Sequence, residues 1–310
     1  MTTTGTGKLS ILISCYNQRD LIGNAITSFF EQDHENREII VLDDGSTDDS
    51  MAVIAECAKN APCPVIYATQ ENHGAAYTFA RLAEMASGDY LLFCGGDDFV
   101  PPDSLSCRIR MLENSPQLMF VCGMTRYVHG AVPGDWFCPV EHTMKLNTIS
   151  PEDILHSMKY HTGEKVEGLI FSACIIRRSD YLASGGFSRN MTCDDAVLLY
   201  NLLSYGAKNG KKIAAVPDLV FFYRQHENNI SKDPEAMWIR FSELYNKLGF
   251  PMRKQASFSA YATYMQEVRK SGKWFHKTLL KRIFTDPAVI KYLTIGAICR
   301  DLLFPRFGRF

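Results

Sequence analysis

The 310-residue chain lacks an apolar run long enough to cross a bilayer; the best candidate, Ala288 to Phe304, is broken by Lys291, Arg300 and Asp301, whereas a spanning helix needs roughly 20 apolar residues. Its ten cysteines include no pair at two-residue spacing, which sets aside zinc knuckles and dithiol redox motifs. Free thiols in a reducing compartment are the expectation. Met1 to Gly7 is short and polar and does not read as a secretory leader, so a cytoplasmic location is expected. There is no internal repeat and no low-complexity tract. A hydrophobic fraction of 46% and a charged fraction of 22% are those of a folded domain.

Net charge is also nearly absent, at −1, but the balance hides a division. Ala236 to Phe310 holds 14 Lys and Arg against 4 Asp and Glu, leaving the preceding part strongly acidic. The basic segment carries no nucleic-acid reading motif, so nucleic acid is not an expected partner. Phe275, Leu279, Leu280, Ile283 and Phe284 share one helical face there, with Lys273, Lys277 and Lys281 elsewhere around it. Such a helix either packs on the rest of the protein or lies on an anionic membrane surface.

The first hundred residues alternate between two periods. Apolar runs at Leu9–Ile13, Ile39–Leu42, Val65–Ala68 and Tyr90–Phe93 read as buried strands. Between them Leu21, Ile22, Ala25, Ile26, Phe29 and Phe30 recur at helical spacing, as do Met51, Ile54 and Ala55 and then Ala75 to Ala86. Ser46 and Asp48 offer oxygens to start the second helix. Strand–helix alternation implies right-handed crossovers and an α/β fold with a doubly wound, mostly parallel sheet. Farther on, helices are expected at Leu105–Leu112, Pro151–Tyr160 and Ala196–Ser204. Strands are expected at Met119–Cys122, Leu169–Ile176, Ile213–Val216 and Val220–Tyr223, and Val128–Asn147 reads as irregular.

Ligands of such sheets sit beyond the carboxyl ends of the strands. Those ends carry Ser14 to Asn17, Asp43 with Asp44, and Asp97 with Asp98. A turn and helix cap account for Gly45, Ser46 and Asp48 but not for two adjacent carboxylates, which repel unless a donor group uses them. Gly95 and Gly96 let the backbone turn and approach a ligand. Asp97 and Asp98 are hard oxygen ligands for Mg2+ or Mn2+, or else a solvated acidic loop.

In order, these segments resemble family 2 glycosyltransferases of the GT-A fold. The resemblance rests on Ser14-Cys15-Tyr16-Asn17, on Asp43 to Asp48, on Asn72 and Gly74 leading to Ala86, Gly88, Asp89 and Tyr90, on Gly185-Gly186-Phe187 followed by Asp194-Asp195, and on Tyr223, Arg224 and His226 with Ser231. It spans roughly Leu9 to Ser231. Three positions depart from the family pattern: Gly95 replaces the usual first Asp of the metal motif, Phe79 and Ala80 stand where an Arg-Asn pair is common, and Asp194 replaces Glu.

The resemblance implies an inverting, metal-dependent transfer of a sugar from a nucleotide-diphosphate sugar, UDP-linked by family habit, to a glycan or lipid-linked acceptor in surface polysaccharide synthesis. It places Ser14, Tyr16, Asn17, Asp43, Asp44, Asn72, Gly74, Asp97 and Arg224 around the donor, with Asp44 on the base. It also assigns Asp97 and Asp98 to the metal and the catalytic base to Asp195, with His226 either ligating the ion through one ring nitrogen or hydrogen-bonding the diphosphate; read alone, a single His near a strand end is more often structural. A carboxylate at a helix start can indeed take a hydroxyl proton, although one member of Asp194-Asp195 could simply cap the helix. Arg224 pairs either with phosphate or with an acidic neighbour. The expected organisation is a transferase domain over 1–232 and a basic helical extension over 233–310, which would touch the inner face of the cell membrane peripherally. The rival readings are a nucleotidyltransferase-like, sugar-activating enzyme and an inactive nucleotide-sugar-binding subunit. The first usually has a glycine-rich basic loop after the first strand, where this chain has Cys15 to Gln18.

Overall fold

A computed structural model describes residues 6–129, 132–137, 140–160, 171–192 and 194–227, with 229, 240 and 243 singly. Contacts divide the chain into two units, Met1–Glu227 and Asn228–Phe310. The sheet and its helices lie in the first, and the expectations for Ser231 and, apart from 240 and 243 singly, for 233–310 fall outside the described residues.

Four parallel strands form the base: β1 (Leu9–Cys15), β2 (Arg37–Asp43), β3 (Val65–Thr69) and β4 (Tyr90–Gly95). Helices α1 (Arg19–Thr27), α2 (Ser50–Lys59) and α3 (Ala75–Met85) connect them. The sheet then continues through α4 (Ser106–Asn114), β5 (Leu118–His129), β6 (Val132–Phe137), α5 (Val140–Lys145), α6 (Pro151–Tyr160), β7 (Ile175–Arg177), α7 (Arg178–Ser184), α8 (Asp195–Asn209) and β8 (Lys212–Gln225). Its order is β3-β2-β1-β4-β7-β5-β6, with β8 pairing parallel to β5. Among these eight strands β6 and β7 run opposite to the rest, β7 pairing antiparallel with β4 and β5 and β6 with β5.

Alternation along β1 builds the two layers. Leu9, Ile11, Ile13 and Cys15 point to one face, where Ile22 and Ile26 of α1, Ile54 of α2 and Ile109 of α4 meet them. Leu12 points to the other, with Phe79 and Leu82 of α3, Ile154 of α6 and Leu198 of α8. Side-chain period two on a strand covered on both faces gives the continuous apolar runs seen in the sequence.

The first four strands and the helices between them match the expected pattern. Three later expectations need correction. The described residues of Val128–Asn147 are mostly regular: β5 runs on to His129, and β6 and α5 follow. Of the anticipated strand over Leu169–Ile176, residues 169 and 170 lie outside the described residues, and the rest is a 3-10 turn at Phe171–Ala173 followed by the three-residue β7. The two strands expected around Pro217 are one, because β8 keeps pairing with β5 through register shifts beside Cys122 and Met124. A proline has no N–H to donate, and a local irregularity accommodates it without ending the strand.

Below the sheet, away from the functional end, Glu38 closes the amino ends of β1, β2 and β4. It is 3% exposed and accepts from Lys8 Nζ at 2.7 Å, Ser10 Oγ at 2.6 Å and the Ser87 amide at 2.9 Å. Gly88 lies directly on this network: a Cβ there would sit 2.6 Å from the Lys8 carbonyl. Burial pushes the Glu38 carboxyl up, but the Lys8 ammonium and the Ser10 and Ser87 donors outweigh it and bring it down to about 2. The stabilisation from this group is complete above its unfolded value of 4.5 and disappears as pH falls towards about 2. Glu38→Gln should cost about 1–3 kcal/mol at neutral pH. In urea unfolding followed against pH, the wild-type advantage should shrink through that acid window; a gap constant from pH 7 to pH 2 would contradict this account.

Candidate active site

Register decides where the chemistry lies. Cys15 is level with Asp43, Ser14 with Gly95, and Asp43 with Thr69. Four loops therefore leave the sheet along one edge.

Tyr16 to Gln18 and Ser46 to Ser50 are stitched together. Asn17 adopts φ 52°, its amide donates to Ser46 Oγ at 2.8 Å, and its Oδ1 accepts the Thr47 amide at 2.8 Å. The Arg19 amide donates to Asp48 Oδ2 at 3.0 Å and the Gln18 amide to Ser50 Oγ at 3.0 Å. Asp48 does receive the first-turn amide of α2, from Ser50. Ser46, expected to help start that helix, instead joins the two loops. Tyr16 stands 48% exposed above them.

The two aspartates after β2 are both buried, and they do different things. Asp43 Oδ2 accepts from the Ser46 amide and from Thr69 Oγ1, both at 3.0 Å. Asp44 reaches across to the loop after β3. Its Oδ1 accepts from Gln70 Nε2 at 2.7 Å and the His73 amide at 3.0 Å, and its Oδ2 from the Gly74 amide at 2.8 Å. Gly74 is itself at φ 85°, preceding α3, a backbone state that favours glycine. Asn72 lies exposed in the same loop.

After β4, glycine is needed for room rather than for the turn: neither Gly95 nor Gly96 has a positive φ. A Cβ on Gly96 would meet Gln18 Oε1 and lie 3.0 Å from the Ser14 carbonyl, which accepts the Gly96 amide at 2.8 Å. A Cβ on Gly95 would lie 2.5 Å from Asp97 Oδ1. The aspartic acid common in the family at Gly95 would thus need the Asp97 side chain to move.

Asp97 and His226 face each other, with Oδ2 and Nε2 2.9 Å apart. Asp98 turns inward and accepts the Arg224 amide at 2.8 Å. Burial, then the neighbouring Asp97, push the Asp98 carboxyl well above the usual carboxylate range; the Arg224 amide opposes this, and Asp195 adds to it. Asp195, from α8, is thus electrostatically within reach of the β4 loop. Arg224, expected at a phosphate, uses its guanidinium inside the protein: Nε donates to the Asp97 carbonyl at 2.7 Å, Nη2 to Asn24 Oδ1 at 2.6 Å, and the group lies 4.8 Å from the Phe99 ring centre. That geometry supports the acidic loop. Among the described residues no three His, Cys, Asp or Glu side chains gather into a metal cage.

The way to Asp195 is set by the Gly-Gly-Phe element. Gly185 takes φ 89° to end α7, a Cβ on Gly186 would lie 2.5 Å from the Tyr181 ring, and Phe187 enters a cluster with Phe93, Phe171 and Phe79. Phe79, standing where the family often has Arg, is a core residue stacked on Phe187 at 5.3 Å. Asp194 Oδ1 accepts the Asp195 amide at 2.9 Å. The cap is Asp194, and Asp195 begins the helix, exposed.

A family model described as Glycosyl transferase family 2 matches residues 10–181. The chain belongs to this family. Among family relatives, the putative teichuronic acid biosynthesis glycosyltransferase TuaG of Bacillus subtilis is 26% identical over 226 residues, covering 71% of this chain and 88% of that protein. An uncharacterized glycosyltransferase of Nostoc sp. is 33% identical over 108 residues, 35% of this chain. The chain spans only about a third of that relative's length, 34%. In fold it is similar to the mannosyltransferase PcManGT of Pyrobaculum calidifontis, solved with GDP-Man and Mn2+, at TM-score 0.57 and 16% identity over 98% of this chain and 82% of that one. It is also similar to S. aureus TarS 1-349 with UDP-GlcNAc, at TM-score 0.55 and 17% identity over 94% and 81%. The fold is accordingly GT-A. No helix among the described residues is long and apolar enough to cross a membrane.

Sequence reasoning missed Gln70, Arg81 and Asn24, whose partners are distant in the chain, and Thr69, which only strand register places beside Asp43. If Arg224 supports the acidic loop as described, Arg224→Lys loses the forked donor set and should lower unfolding free energy by about 1–3 kcal/mol. A urea midpoint equal to wild type would remove that role.

Proposed function

We propose that this protein is an inverting glycosyltransferase that moves a sugar from a nucleoside-diphosphate donor, UDP-linked, to a hydroxyl of a glycan or lipid-linked acceptor in surface polysaccharide synthesis. The observation that carries the reading is the Asp97–His226 pair at 2.9 Å with Asp98 buried behind it, at the same end of the sheet as Asp44, together with the upward push that burial, Asp97 and Asp195 give the Asp98 carboxyl. TuaG's association with teichuronic acid biosynthesis supports the polymer class, and the UDP-GlcNAc of TarS and the GDP-Man of PcManGT support a nucleotide-sugar donor.

Asp195 takes the acceptor hydroxyl proton as that oxygen bonds to the sugar's anomeric carbon, and the bond from that carbon to the diphosphate oxygen breaks with its electron pair. One displacement inverts the centre. Asp194 holds the backbone amide of Asp195 at the start of α8. The buried thiols nearby take no part, since burial drives Cys94 far above its ordinary value and Cys15 up to about 12. Asp44 accepts an N–H of the base, and Tyr16, Asn17 and Asn72 line the nucleoside side.

The donor set fits a divalent ion held by few protein ligands: Asp97 with His226 beside it, and Asp98 behind. Mg2+ and Mn2+ sites of this kind are completed by substrate phosphates. A divalent ion bound there would neutralise charge on the departing nucleoside diphosphate. The basic extension is assigned to contact with the inner membrane surface, where lipid-linked acceptors reside.

Asp195→Asn should reduce transfer by at least about 100-fold while leaving the Kd for UDP near wild type by calorimetry; transfer at the wild-type rate would remove Asp195 as base. Asp97→Ala should abolish the increase in UDP affinity on adding Mn2+. UDP binding indifferent to Mn2+ in the wild-type protein would end the metal assignment.

A further inference from the structure

The loop clamp on Asp44 has a second layer. Gln70, directly after β3, donates Nε2 to Asp44 Oδ1 at 2.7 Å and to Thr78 Oγ1 at 3.0 Å, while its Oε1 accepts Arg81 Nη1 at 2.8 Å. An amide side chain can be turned end for end, and only its partners decide which end faces the carboxylate. Arg81 offers donors alone, so it fixes the Gln70 oxygen on its own side and leaves the NH2 for Asp44. Thr78 Oγ1 donates to the Gly74 carbonyl at 3.0 Å, which frees its lone pairs for that same NH2. The chain of contacts therefore has one polarity, from the Arg81 cation through the Gln70 amide to the Asp44 anion.

Asp44 already accepts three N–H groups, two on Oδ1 and one on Oδ2. A carboxylate has about four acceptor positions, so the remaining one lies on Oδ2. Gln70 occupies Oδ1 and sets the rotation of the carboxylate, and with it the direction of that free position. We propose that Gln70 and Arg81 are positioning residues for base recognition, aiming the last lone pair of Asp44 at a nucleobase that presents a ring N–H at the centre of its pairing edge. Uracil and guanine have such a group; cytosine and adenine offer a ring acceptor in its place, which an acceptor-only carboxylate rejects. The relay also fits the departure at Phe79: the family's arginine is replaced by core, and the cation on this helix is two residues on, reaching Asp44 only through Gln70. This inference rests on Asp44 being the base contact proposed above.

Calorimetric Kd values for UDP, GDP, CDP and ADP with the full chain and Mn2+ test both levels. Wild type should bind UDP or GDP at least about 10-fold more tightly than CDP or ADP. Gln70→Leu and Arg81→Met should each weaken the preferred nucleotide about 3- to 30-fold with CDP and ADP nearly unchanged, so that selectivity collapses. Arg81→Lys, which keeps a donor, should restore part of it, and thermal unfolding within a few degrees of wild type separates this from general damage. Where Gln70→Leu fails to fold, Gln70→Glu serves, since a second carboxylate beside Asp44 repels it and should weaken the same nucleotide. If Asp44→Asn lowers affinity for the preferred nucleotide while the Gln70 and Arg81 variants bind and discriminate as wild type does, the relay is overturned and the base contact stands. If Asp44→Asn binds all four nucleotides unchanged, the base contact falls and the relay with it.

Discussion

Everything at the functional edge depends on the parallel register of β1 between β2 and β4. Because Cys15 pairs with Asp43 and Ser14 with Gly95, three loops that are far apart in sequence leave the sheet at the same height. A shift of one residue would turn every side chain of β1 to the opposite face and bury the wrong set. The apolar alternation that separates Leu12 from Ile11 and Ile13 is therefore also what positions the acidic groups. Packing energy, not the polar residues themselves, sets the geometry of the site.

Once the sheet has brought them to one height, the polar loops also hold one another. Asn17 ties to Ser46 and Thr47, Asp44 to Gln70, His73 and Gly74, and Gly96 to Ser14. Most of these bonds use backbone amides of one loop and side chains of another, so each loop is ordered only when its neighbour is. The family's polar motif residues serve this mutual ordering as much as contact with a ligand. Arg224 extends the same device to the far side, joining β8 to the β4 loop and to α1 through Asn24.

The parallel half of the fold was legible because buried strands and amphipathic helices of ordinary length leave clear periods up to residue 95. The antiparallel half was less so. β7 is three residues long, too short to show a period, and the continuity of β8 across Pro217 depends on a partner strand that no local pattern reveals. In the site, motif order located Asp43, Asp44, Asp97, Asp98 and Asp195 in the chain. Their partners could not be read: Gln70 and Arg81 become meaningful only once α3 is packed on the sheet, and the inward turn of Asp98 follows from the arrival of Arg224, 126 residues later. The reason for glycine at 96 was likewise steric crowding from another segment, Ser14 to Ile22, which a sequence does not display.

Glu38 and Asp98 show how the two ends of one sheet differ in purpose. Both are buried carboxylates beside the central strands. Glu38 has a lysine, two serine hydroxyls and an amide, and its carboxyl is driven down to about 2. Asp98 has the Arg224 amide against burial and two acidic neighbours, Asp97 and Asp195, and its carboxyl is driven well up. Burying like charges together opposes folding unless an outside cation or donor answers them. A sheet selected for stability alone would complete the second site as it completes the first. A buried carboxyl pushed up by acidic neighbours is the pattern expected where function, rather than the fold's own stabilisation, selects the residues.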